Sequence, residues 1–420
     1  MRIRNLVLFS QVLFFCWSCA YVPMAVKEDV PLLEEVAVGN MLFPWAVQKM
    51  GGVCNDSELL VYVEGVGQKL AKYAGRSEVT YHFQVVNSSL PGAFVFPGGY
   101  IGISRGLMLR LENETQLAAI LGHLIAHVED FHLNDALRDS KLYLRFRDQT
   151  PDEIDSLSFN QSVVAAQDLV AQLLAWQFTL RQERDADQIA VNYLNQTGYN
   201  PRGILWLMDA WSGAQGSFGG HLQPHAVCQE RWINTKRYVD NFLSPGNRSR
   251  YLGEAAYARA TVRLRQNSQG LDYFDEGMKL EKRGDLNGAV AFYLQAAAEA
   301  SDDPLILCRL GLAYLQAEDL HSAGHYLRQA VRLSPNYYYS RLGMGYCLLE
   351  DDQPDQALVH LEAAMRLLPT IEGAFLLAEA YERQGKVGQA ANLYADVVRA
   401  EPSGKLGRRA AERGLQMKNN

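Results

Sequence analysis

Residues 121–132 read LGHLIAHVEDFH, and this stretch governs how the rest of the chain is read. His123 and His127 stand four apart inside an apolar run. Four residues turn an α-helix through about 400°, so both imidazoles leave one face. That spacing suits two nitrogens on one Zn²⁺ ion, as in the pattern H-E-x-x-H, where the glutamate takes a proton from metal-bound water. Position 124 is leucine instead. A leucine neither accepts a proton nor polarises water, so the sequence keeps the metal pair of a hydrolase and lacks its general base. Leu117, Leu121, Leu124, Val128 and Phe131 also form one apolar stripe, so a buried helix with two incidental histidines is the competing reading.

Working outward, Asn113 with Gln116 three residues on predicts a capping box opening the histidine helix. Upstream, residues 32–70 carry a helical period broken by Pro44 and by Gly51 and Gly52. From Val79 the period becomes two. VTYHFQVV, GAFVF and YIGIS read as short strands around Pro97, Gly98 and Gly99, which predicts a small antiparallel sheet with its edge near the histidine helix. Downstream, the pattern predicts one long helix over about 163–194, carrying RQERDADQIAVNYL and stopped by Gly198, with Pro201 opening the next. Glu183 and Asp187 lie one turn apart there. A carboxylate from a second helix is the natural third ligand of a two-histidine zinc site, and an acid one turn on is placed to orient a histidine. A solvated acidic face is the alternative. The run SGAQGSFGGH reads as a loop, followed by His225 and Arg231.

Length and composition set the frame. A chain of 420 residues suggests two to three domains of about 150 residues each. With 48% apolar and 21% charged residues it is expected to fold throughout, and net charge −7 without any basic run argues against nucleic acid. Arg2 and Arg4 precede the apolar stretch LVLFSQVLFFCWSCA, which reads as an export signal over residues 1–25. Cys19 offers a second outcome, the acylated cysteine of a lipoprotein, and an uncleaved anchor is a third. Export permits disulfides among Cys54, Cys228, Cys308 and Cys347, although spacing alone pairs none of them.

The second half is periodic. Gly277, Gly311, Gly345 and Ala378 recur at steps of 34, 34 and 33, and Ala289, Ala323, Ala357 and Ala390 repeat the same steps. Pro335, Pro369 and Pro402 close three units. Small residues let paired helices approach and the prolines stop each second helix. This resembles the tetratricopeptide repeat, four units with GKLGRRAAERGLQMK as a cap, and it implies a groove for a peptide or protein. Tyr337, Tyr338 and Tyr339 are read as packing residues at a repeat junction, with ligand-binding aromatics as the alternative.

Residues 32–240 resemble the zinc metallopeptidases of the HtpX and CAAX-prenyl-protease type, most of all their periplasmic BepA-like branch. GAFVFPGGYIGISRGLM is similar to that family's NAFALPGG segment, and LENETQLAAILGHLIAHVEDFH to its ENEAELAAVLGHEIAHV..RH helix. RQERDADQIAVNYLNQTGYNP is similar to its ExxxD helix with GYDP, and HAVCQER to its HPxxxxR element. The resemblance implies His123, His127 and Glu183 as ligands of one zinc ion and Asp187 as the acid supporting them. It also implies His225 as a movable histidine and Arg231 as its companion, both candidates for steadying a transition state. Leu124, Gly92 and Ala226 depart from the family pattern.

The expected fold is mainly α: a gluzincin-type α+β metallopeptidase domain with a small antiparallel sheet (26–240), a connection (241–269), and an α-solenoid of tetratricopeptide repeats with a capping helix (270–416). The resemblance implies a periplasmic protein, held at the outer membrane if Cys19 is acylated. Such a protein would bind protein or peptide clients through its repeats and sheet edge in envelope protein assembly or quality control. With the base missing, impaired proteolysis is the first expectation. An active zinc endopeptidase degrading misfolded proteins and a metal-free repeat scaffold are the alternatives.

Overall fold

The computed structural model describes residues 30–138, 159–214, 227–242 and 251–419. The export signal, Cys19, His225 and residues 215–221 of the expected glycine-rich loop lie outside those residues, while residues 212–214 of that run belong to a helix. The chain opens with α1 (Leu32–Lys49), which runs on through Pro44, and α2 (Ser57–Ala71), capped by the Asp56 side chain. Three strands follow: β1 (His82–Val86), β2 (Ala93–Phe96) and β3 (Tyr100–Ser104). Next come α3 (Arg105–Met108), α4 (Glu114–Glu129), α5 (Asn134–Arg138), α6 (Phe159–Leu174), α7 (Leu180–Thr197), α8 (Gly203–Ala214) and α9 (Gln229–Phe242). Short helices α10 (Glu254–Ala260) and α11 (Val262–Gln266) lie within the expected connection.

The sheet corrects one expectation. Its order is β1-β3-β2, with β2 antiparallel to β3 but β1 parallel to it, so the sheet is mixed. The outer edge of β1 is already occupied, because Val53 bridges Val86 and the Asn87 side chain donates to Val53 O at 2.9 Å. The chain then crosses to the far side, and β3 fills the place between. Both β2 and β3 pack against α4.

The long helix expected over 163–194 is two helices. Thr179 caps α7 in a reciprocal box with Gln182, and residues 175–179 turn away between α6 and α7. Gly198, at φ +83°, ends α7 in the left-handed conformation that a side chain resists. The box at Asn113 is half as expected. Asn113 accepts from Gln116 N at 3.0 Å, but the Gln116 side chain turns to Glu112 N at 2.6 Å.

The repeats form helix pairs: α12 (Ser268–Lys282) with α13 (Leu286–Glu299), α14 (Pro304–Gln316) with α15 (Leu320–Leu333), α16 (Tyr338–Glu350) with α17 (Pro354–Leu367), and α18 (Ile371–Arg383) with α19 (Val387–Ala400). Helix α20 (Lys405–Asn419) caps the stack. The periodic glycines are the close-approach points. A Cβ on Gly277 would lie 2.5 Å from the Tyr293 ring, and one on Gly311 or Gly345 2.6 Å from Leu327 or Leu361. One small residue on the first helix thus receives one large residue from the second.

The array is seated on the first domain. Gln48 donates to Asn336 O at 3.0 Å and accepts from Tyr338 N at 2.8 Å, while Arg105 and Asp303 form a buried ion pair across the seam. Of the three tyrosines, Tyr337 packs over Gly52 of the first domain, and the Tyr338 hydroxyl meets Thr370 of the next repeat. They are packing residues, one of them on a different body from the neighbouring repeat.

Candidate metal centre

Helix α4 is fixed at both ends before it presents anything. At its start Glu114 accepts from Tyr62 at 2.8 Å and Tyr199 at 2.5 Å. At its end Arg76 reaches Glu35 at 3.0 Å and Val128 O at 3.1 Å. Helix α7 crosses α4 where Gly122 faces Ala190 and Tyr193. This crossing sets the histidine face of α4 against the acidic face of α7.

There the side chains converge. His123 Nε2 and His127 Nε2 are 3.0 Å apart, and the two Glu183 oxygens divide between them, Oε2 at 3.5 Å from His123 Nε2 and Oε1 at 3.5 Å from His127 Nε2. All three ligand atoms lie within 4.8 Å of one another and all three residues are buried. Zinc ligands at about 2.0–2.1 Å in a tetrahedron stand about 3.3 Å from each other, so the donor set and its spacing fit zinc.

Behind the ligands runs a charged network. Asp187 takes His123 Nδ1 at 2.9 Å, Arg231 through Nε at 2.8 Å and Nη2 at 2.7 Å, and the Thr235 hydroxyl at 3.0 Å. Arg231 also pairs with Glu183. Burial works to raise the Asp187 carboxyl, but Arg231 and His123 outweigh it and hold its pKa below the usual range. Burial works to lower His123, and hydrogen bonds to Asp187 and Glu183 outweigh it in the metal-free protein, raising its pKa. Asp187 therefore fixes which His123 nitrogen faces Glu183: with Nδ1 tied, Nε2 points inward.

Leu124 is fully buried in the apolar core. The other acids of α4 are committed elsewhere, Glu114 as above and Glu129 to Gly75 N at 2.7 Å and to the Tyr193 hydroxyl. On α7, Asp185 faces outward with Arg181 and Arg184. Among the described residues Glu183 and Asp187 are the carboxylates paired with His123 and His127, and the nearest further one, Asp130, lies 3.9 Å from Nε2 of the neighbouring His132.

Sequence reasoning passed over two members of the site. Phe131 adopts φ +54°, and this left-handed turn folds the chain back after α4, with His132 N bonding His127 O at 3.1 Å. His132 Nδ1 then meets His127 Nδ1 at 2.9 Å, so one of the two must carry the proton. With His127 Nε2 facing the ligand cluster, its Nδ1 is the donor and His132 the acceptor. That histidine was visible five residues past His127. Phe178 was not, because its ring stacks on His127 at 3.8 Å only through the break between α6 and α7. His225 lies outside the described residues. The cysteines Cys54, Cys308 and Cys347 are buried and Cys228 is exposed, none of them bridged to another.

Known proteins resemble parts of this chain. Residues 60–240 match peptidase family M48 and residues 305–337 match the tetratricopeptide repeat. The beta-barrel assembly-enhancing protease of Escherichia coli K12 is 28% identical over 157 residues, 36% of this chain and 32% of that one. The mitochondrial metalloendopeptidase OMA1 of Schizosaccharomyces pombe is 25% identical over 170 residues, 39% of this chain and 47% of that one. The matched stretch thus spans about a third of the length of the assembly-enhancing protease. Among solved structures, MamA from Desulfovibrio magneticus RS-1 is similar over 36% of this chain and 93% of its own, at 21% identity and a TM-score of 0.31.

Proposed function

We propose that this chain, which carries a family M48 peptidase domain followed by tetratricopeptide repeats, is a zinc-holding protein of the cell envelope that binds client proteins and cleaves them poorly if at all. One observation carries the reading: the three ligand side chains converge in a buried cluster while the position for the proton acceptor holds a leucine sealed in the core. His123, His127 and Glu183 would hold the ion, with Asp187, Arg231 and His132 keeping the ligands oriented and the charge balanced. Zinc bound there supplies Lewis-acid polarisation of a water or carbonyl oxygen. Removing a general base lowers a hydrolytic rate by about two to four orders of magnitude. Arg231 is held by Asp187 and Glu183, so its charge serves the ligand network.

The setting comes from the relatives. One is named a beta-barrel assembly-enhancing protease, and from that name we carry over the assembly of β-barrel proteins in the outer membrane as the process served. The repeats are the surface that would hold clients, because every residue of β2, the edge strand expected to share that task, is buried. The periplasm is the compartment, with acylation of Cys19 as the means of anchoring. A buried histidine pair with its carboxylate and supporting acid is costly to keep in a metal-free scaffold, which weighs against that alternative.

The test is cleavage of unfolded casein by the zinc-loaded chain and by its Leu124→Glu variant. The expected result is negligible turnover by the natural sequence and at least a hundredfold gain in the variant. Chelator-sensitive cleavage by the natural sequence at the rate of an ordinary metallopeptidase would overturn the reading.

A further inference from the structure

One inter-repeat junction gathers positive charge from three helices. Helix α15 reads LHSAGHYLRQAVRL, with Arg328, Arg332 and two histidines but no acid. On α16, Arg341 donates through Nε to Pro335 O at 2.8 Å, and its Nη1 lies 3.4 Å from His360 Nδ1 on α17. Burial and the nearby Arg366 both push the Arg341 pKa down. Burial, Arg341 and Arg328 do the same to His360. Three successive helices therefore bring Arg328, Arg341, His360 and Arg366 to one junction.

Four other arginines of the array have acid partners, Arg309 with Glu281, Arg383 with Glu379, Arg399 with Asp396 and Arg413 with Glu382, while Arg408 donates to Ser403 O and Arg409 lies over the Phe375 ring. At this junction, among the described residues, no carboxylate stands within ion-pair distance of Arg328, Arg341 or Arg366. Glu362, one turn before Arg366, instead accepts from the Tyr381 hydroxyl at 2.9 Å. A chain of net charge −7 has acids to spare, yet this junction holds like charges together without one.

We propose that Arg328, Arg341 and Arg366 form a docking site for an acidic peptide segment of a partner protein. Guanidinium groups take carboxylates in two-pronged hydrogen bonds. Arg341 is half-buried between helices, within reach of a projecting side chain and set back from a flat surface. Val359 is 62% exposed and lies seven residues before Arg366 on nearly the same stripe of α17, giving such a peptide an apolar contact beside the charges. An anionic lipid surface fits less well, since the chain as a whole carries net negative charge. The proposal extends the client-binding part of the function above and is independent of the metal centre, so its failure would leave zinc content and cleavage results untouched.

The experiment measures fluorescence anisotropy of fluorescein-labelled hexaglutamate against the full chain at low salt. Saturable binding is expected, weakened at least tenfold by Arg328→Glu with Arg366→Glu, two exposed positions whose exchange should leave the melting temperature unchanged. The control Arg259→Glu with Arg283→Glu alters net charge equally and should keep binding within twofold. Absence of hexaglutamate binding, or equal weakening by both pairs, overturns the proposal. So does flotation with phosphatidylglycerol vesicles that is lost in the first pair while hexaglutamate goes unbound.

Discussion

The two halves of this molecule bury different things. Around α4 and α7 the chain buries three histidines, two carboxylates and an arginine within a few ångströms of one another. Along the repeats the buried positions are mostly glycine and alanine set against leucine and tyrosine. Apolar packing stabilises in proportion to area and is repeated pair after pair, whereas a buried charged cluster is held only while every member is matched. The difference teaches that the first half is shaped by a site and the second by its own periodicity.

That contrast is open to direct attack. Arg231→Leu leaves Asp187 and Glu183 buried without their cation, and urea unfolding should show a loss of about 3–5 kcal/mol; a loss below about 1 kcal/mol would mean that the network is not balanced as described. In the repeats, Gly311→Leu drives a side chain into Leu327, with an expected loss of about 1–3 kcal/mol by the same measurement. His132→Phe should leave the unfolding midpoint nearly unchanged yet weaken zinc about 10- to 100-fold in a chelator competition, because His127 loses the acceptor that orients it. Smallest is Gln48→Ala at the seam between the halves, where two hydrogen bonds go and about 1 kcal/mol of stability with them.

The same contrast explains what the sequence made legible. The repeats announce themselves because one steric requirement recurs at Gly277, Gly311 and Gly345, and three strands were readable from a period of two. The pairing of His123 with His127 was legible because a helix fixes what four residues mean, and Glu183 and Asp187 share a face for the same reason, while the choice of Glu183 as a candidate third ligand came from the family resemblance. Strand order was not readable, since β1 pairs with β3 only after the chain has passed through β2, and its other edge meets Val53 from the connection between α1 and α2. Nor was the break at residues 175–179, whose apolar Trp176 and Phe178 keep up a helical pattern while the Thr179 box starts a new helix. The basic junction left no trace in composition, because Arg328, Arg341 and Arg366 are dispersed along the chain and meet only when three helices stack.

The central claim is that His123, His127 and Glu183 form a metal site despite the leucine between the histidines. Its most direct test is the zinc content of the purified full-length chain beside His127→Ala. The account predicts one zinc per natural chain and almost none in the variant. Substoichiometric zinc in the natural chain, or zinc that survives His127→Ala, would contradict it.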